Sequence, residues 1–407
     1  MADHFVNGLR LVAPAGSQNG RTFSRWLVEW LTQICGWEVH DAISGNWATY
    51  VDQDTGGETV DSEPNQFSIG AYSYVFTSAD IGSYLTITGF TGRYASRNGI
   101  YRIGRIISDK IVELDVERGM HEDGFPCWPS IISNLTWKLW SPTASYVPTS
   151  GDVMVLKGVG TNGAGYDFHL HINVRSSNSY YPEFRMSPFA SWNSGTHSWD
   201  DSRYTTAKGI DSWNNSLVNN DSCRVWGAAD ADRFVVMIRM EDDYYSWHCL
   251  YAGEIDVKDE VADTNPCVLW AGSNRGNSTV GDDNQTLIGL GADSSLYSGG
   301  VWLGDDDLTS LTGYAMFTHV PSSSDVHWLS DSQRHWGEYR RERYRVPIIC
   351  ECRTAGFMEL RGTLRRFWTT ARDTPRMVTV GTNGEYLHTV GGLLIPWFNS
   401  KVWYERG

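Results

Sequence analysis

The sequence predicts a mainly β protein, made of antiparallel β-sandwich or barrel domains with a short helical region near the N-terminus. Three observations carry this. Apolar and polar residues alternate with period two in many short runs bounded by Gly, Asn, Asp and Ser. The chain is rich in turn formers and β-favouring aromatics, with 41 Gly, 19 Trp and 20 Tyr in 407 residues. Only one stretch has the 3.6-residue period of an amphipathic helix.

That stretch is 22–35, TFSRWLVEWLTQIC, where Trp26, Leu27, Trp30, Leu31 and Ile34 line one face. Thr22 or Ser24 serves as the expected N-cap and Gly36 as the stop. Its two tryptophans make the helix a docking element, against the chain's own core or a partner. Residues 1–60 form an N-terminal segment around it. The run from Asp52, DQDTGGETVDSEPNQ, is polar and Gly-rich and reads as a loop.

A small β-domain is expected over 61–148. Its clearest part is Phe76 to Asp115, FTSADIGSYLTITGFTGRYASRNGIYRIGRIISDKIVELD. Tyr84, Thr86 and Thr88 alternate with Leu85 and Ile87, and similar patterns follow at Tyr101, Ile103 and at Ile111 to Leu114. Asn98-Gly99 and Ser108-Asp109-Lys110 supply residues that tolerate turns. The wording of this segment resembles particle proteins of tailed bacteriophages, in tail, neck and baseplate components. Passages 228–256 and 360–397 have a similar flavour. The resemblance implies a virion structural protein, assembled in the host bacterial cytoplasm, whose partners are further copies of itself and other virion proteins.

Prolines at 126, 129, 142 and 148 mark a boundary near residue 150. The remainder, 149–407, reads as a larger β-sandwich with long loops and a C-terminal strand region. Five alternating runs between Val153 and Asp256 give antiparallel strands. Between them, 187–220 reads as a loop carrying Trp192, Trp199 and Trp213, rings costly to leave in water and so expected to meet a neighbouring subunit. Strands resume from Arg345, with Asn383-Gly384 a hairpin candidate, and this tail is expected to pair back onto the middle of the chain.

Charge and motifs narrow the function. A net charge of −15 argues against binding nucleic acid directly. The basic exception, RHWGEYRRERYR at 334–345, with Arg340, Arg341 and Arg343, reads as a contact strip for acidic surface. Seven cysteines without CxxC spacing read as free thiols. No apolar run is long enough for a membrane span or a signal peptide.

For metals, His169 and His171 share a strand face, with Asp167 alongside. Asp305, Asp306 and Asp307 resemble carboxylate-rich loops that take a structural calcium ion, as does Asp282-Asp283-Asn284. Asp230, Asp232, Glu241, Asp242, Asp243, Glu254 and Asp256 contain the residue types of a glycoside-hydrolase pair. No nucleophile elbow or phosphate loop is present. The expectation is a non-enzymatic protein that acts by subunit assembly through Trp26, Trp30, Trp192, Trp199, Trp213 and the arginine strip. The alternative is a carbohydrate-binding receptor-recognition module or glycan depolymerase acting on a host surface glycan.

Overall fold

The computed structural model describes residues 4–12, 19–43, 47, 50–60, 65–115, 131–141, 152–158, 166–176, 179–186, 192–200, 205–207, 222–240, 247–257, 267–273, 315–317, 345–354, 357–370, 392–397 and 400–405. The chain opens with β1 (His4–Val12), α1 (Asn19–Gln33) and β2 (Glu38–Ile43). Six strands then close a barrel: β3 (Asp52–Thr59), β4 (Gln66–Ser68), β5 (Tyr84–Thr88), β6 (Gly99–Ile106), β7 (Ile111–Leu114) and β8 (Leu135–Trp140). Next come β9 (Val153–Gly158), β10 (Tyr166–Ser176), β11 (Ser179–Met186), β12 (Trp192–Asn193), β13 (Ser198–Trp199) and β14 (Thr205–Ala207). They are followed by β15 (Ser222–Ala229), β16 (Arg233–Met240), β17 (Trp247–Val257) and β18 (Cys267–Ser273). The last are β19 (Ala315–Phe317), β20 (Arg345–Thr354), β21 (Phe357–Thr370), β22 (Gly392–Trp397) and β23 (Ser400–Glu405).

The mainly β expectation is met, with a closed antiparallel barrel and one helix near the N-terminus. Strands outside the barrel divide between two large sheets and the separate β12–β13 pair. A ten-stranded sheet runs β1-β15-β16-β17-β21-β20-β19, with β18 on β17 and the β22–β23 pair on β21. The tail thus returns to the middle of the chain, through Ile255↔Leu364 and its neighbours. A five-stranded sheet runs β14-β11-β10-β9-β2. Both sheets receive an N-terminal strand, so residues 1–60 are woven into the main body.

The helix is the hub. It touches β1 and β15 of the larger sheet, β9 and β11 of the smaller sheet, and β6 of the barrel. One apolar cluster joins Trp26, Trp30 and Leu31 to Leu11, Val225 and Val236 on one side and to Met154 and Leu156 on the other. Trp26 and Trp30 stack at 5.2 Å and are fully buried, so they serve the chain's own core and present no surface to a partner. Burial of each ring stabilises the fold by roughly 4–6 kcal/mol. Gly227 lets β15 pass beneath them, since a Cβ there would lie 3.1 Å from the Trp30 ring and 2.9 Å from the Val235 carbonyl. The helix starts at Asn19, so Thr22 and Ser24 are buried inside it and neither is its N-cap. Gly36 ends it at φ +84°, as its position predicts.

The barrel takes in more chain than the sequence suggested. The polar run at 52–59, expected to be a loop, is strand β3, paired with β4 and β8. Gly57 answers to packing: a Cβ there would lie 2.2 Å from Phe67, because the Phe67 and Trp137 rings fill the interior. Asp80 braces the following loop, accepting from the Thr77 amide (2.8 Å) and the Tyr74 hydroxyl (2.8 Å). Asn98-Gly99 makes no two-residue hairpin. It ends the 3-10 segment Gly92–Arg97, and the Asn98 side chain clasps both the amide and the carbonyl of Phe90.

Strand β5 is buried on both faces. Leu85 and Ile87 fill the barrel, whereas Tyr84 packs with the helix core. Ile43 pairs with Val153, so the whole barrel hangs as an insert between two adjacent strands, β2 and β9.

Candidate functional site

Two polar constellations and one buried turn stand out from the apolar framework. The first lies where the barrel meets α1. Arg25 and Glu29 sit one helical turn apart and are both buried, Glu29 at 2% exposure. The Tyr50 hydroxyl reaches both Glu29 oxygens at 2.7 Å, and Thr86 of β5 donates to Oε1 at 3.1 Å. The Arg25 guanidinium lies over the Trp140 ring at 5.0 Å and the Tyr50 ring at 5.7 Å. Lys138 of β8 covers the outer side of Tyr50, 4.8 Å from its ring, and bonds Gln33 of the helix. Burial draws the Arg25 pKa below its ordinary value, and the Glu29 carboxylate opposes this. Burial, then Glu29, pushes the Tyr50 hydroxyl up. The cluster pairs opposite charges inside the molecule and ties the barrel to α1.

Tyr84, next along the same face of β5, makes the second contact of this junction. Its hydroxyl accepts from the Val12 amide at 2.9 Å and donates to the Arg10 carbonyl at 3.3 Å, both on β1. Its ring stacks on Trp140 at 4.5 Å.

The second constellation clamps the β12–β13 hairpin to β2. One carboxylate oxygen of Asp41 accepts from the Trp192 indole at 2.7 Å and meets His197 Nδ1 at 2.8 Å. Burial resists ionisation of Asp41. The hydrogen bonds from Trp192 and His197, with the His197 charge, outweigh it and hold the carboxyl below its usual range. His197 has φ +51° and is 51% exposed. Trp192 is buried against Val153 and Val155, so this ring of the expected contact loop packs within the chain. Trp199 is its strand partner, and Trp213 lies outside the described residues.

The buried turn joins β15 to β16. Asp230 Oδ1 accepts from the amides of Asp232 (2.8 Å) and Arg233 (2.9 Å), and Arg233 Nε meets Oδ2 at 3.2 Å. Trp37 donates to the Asp230 carbonyl at 2.8 Å. Two members of the suspected hydrolase set, Asp230 and Asp232, are therefore sealed from solvent with an arginine between them. Asp256 is exposed on β17, and Glu254 pairs with Cys267. Glu241, Asp242 and Asp243 lie outside the described residues.

His169 and His171 fall on β10, opposite Val155 and Val153 on one side and Arg185 and Glu183 on the other. No bulge separates them in either ladder. Among the described residues no three His, Cys, Asp or Glu side chains converge on a metal position. Asp282 to Asn284, Asp305, Asp306, Asp307, Arg340, Arg341, Arg343 and the Asn383-Gly384 turn lie outside the described residues, as do all but Arg345 of the basic strip.

Sequence reading missed the junction. Arg25 and Glu29 carried the available signal, an oppositely charged i, i+4 pair inside an otherwise apolar helix. Asp41, Tyr50, Thr86 and His197 gave none, since their roles arise from contacts distant in sequence. Among the described residues no helix is long and apolar enough to cross a membrane. No protein-family model, curated protein or solved structure matches this chain.

Proposed function

We propose that this chain is a structural component of a tailed-phage particle, in the tail, neck or baseplate, and that it works by subunit assembly. The observation that carries the reading is the fold of the segment with the phage-like wording. Residues 76–115 supply β5, β6 and β7, three neighbouring strands of a closed barrel that is plugged into the body as an insert. Such a unit suits a part that must hold its shape under load and present loops to neighbours. The exposed large apolar residues are consistent with contact surface: Val75, Ile81, Ile107 and Ile131 on the barrel, Val51 at its entrance and Val39 on β2.

The carbohydrate alternative needs exposed Trp or Tyr rings beside facing carboxylates. Tryptophans 26, 30, 37, 47, 137, 140, 192 and 226 are all buried, so none of these eight offers a stacking platform for sugar.

The test is the solution mass of the full chain by light scattering across concentration, with negative-stain microscopy of the larger species. A ring or other closed oligomer of fixed copy number is expected. A strict monomer at every concentration that also leaves purified tailed particles undecorated would refute the assembly role.

A further inference from the structure

We draw no further inference here: the strongest candidate, the side-chain cluster on the barrel in which Tyr72 bonds Asp52, Tyr74 bonds Asp80 and both rings pack on Trp137, is an acidic cluster whose hydrogen bonds run within the barrel itself, and nothing among the described residues points to a ligand for it.

Discussion

Replacing Glu29 with leucine should destabilise the chain by about 3–5 kcal/mol, the cost of removing a buried carboxylate that sits beside a buried guanidinium. Arg25 is fully buried and Glu29 is the carboxylate one turn away. The substitution also removes the acceptor for Tyr50 and Thr86, whose hydroxyls add about 1 kcal/mol each where the pocket stays dry. Arg25→Met alone should cost somewhat less, because those two hydroxyls still serve the carboxylate. The double change Arg25→Met, Glu29→Leu removes both charges and keeps the volume, so it should fall within about 2 kcal/mol of wild type. The coupling energy then comes to about 3 kcal/mol or more, well above the additivity error of independent sites. Urea denaturation followed by tryptophan fluorescence measures all four corners of the cycle. A single-mutant loss below 1 kcal/mol, or a double mutant as unstable as the sum of the singles, would refute the pairing.

Three other outcomes follow from the geometry. Burial raises the hydroxyl pKa of Tyr84 and Tyr101, so their stabilising contribution is complete below about pH 10 and is lost as pH rises through the raised values. An absorbance titration should show these two ionising only as the chain unfolds, and all 20 tyrosines titrating smoothly near pH 10 would contradict this. Asp41 is depressed, so the hairpin clamp should hold above about pH 4 and loosen as pH falls through the lower folded value. The Trp192 indole N–H signal should report that loosening, and Asp41→Ala should speed proteolysis between residues 193 and 198 about tenfold at neutral pH; cleavage at the wild-type rate would count against the clamp. Gly253→Ala should cost about 3 kcal/mol, since its Cβ would lie 2.2 Å from Arg233 Cβ at φ +150°. A thermal melt at the wild-type midpoint would show that the β16–β17 pair relaxes freely.

Two kinds of strand were legible. Ile111 to Leu114 alternates and falls where period two places it, and Val153 to Gly158 and Arg233 to Met240 fall where short apolar runs place buried strands. Strand β3 was not, because its inward positions hold Gly57 and Thr59, small residues selected by the Phe67 and Trp137 rings across the barrel. A strand that must make room looks like a loop. The Tyr84 and Thr86 face of β5 answers Glu29 and the β1 edge inside the molecule, which alternation alone does not reveal. The helix was evident from its apolar face, but a one-sided pattern cannot reveal that α1 is enclosed by two sheets and a barrel together. The Asp41 clamp joins residues 151 and 156 positions apart, a distance over which local pattern carries no information.

The placement of the barrel also sets a folding order. Ile43 and Val153 are ladder partners across a long intervening chain, so β2 and β9 form a pair of high contact order. Closing that loop while it is unstructured carries a large entropic penalty. Once the six barrel strands have folded locally, the effective loop shrinks to the two short connections that leave the barrel. The barrel should therefore act as a kinetic matchmaker, forming early and delivering β9 to β2. A refolding experiment that slows the barrel, as Gly57→Ala should, would then delay the five-stranded sheet as well, although that substitution touches none of its residues.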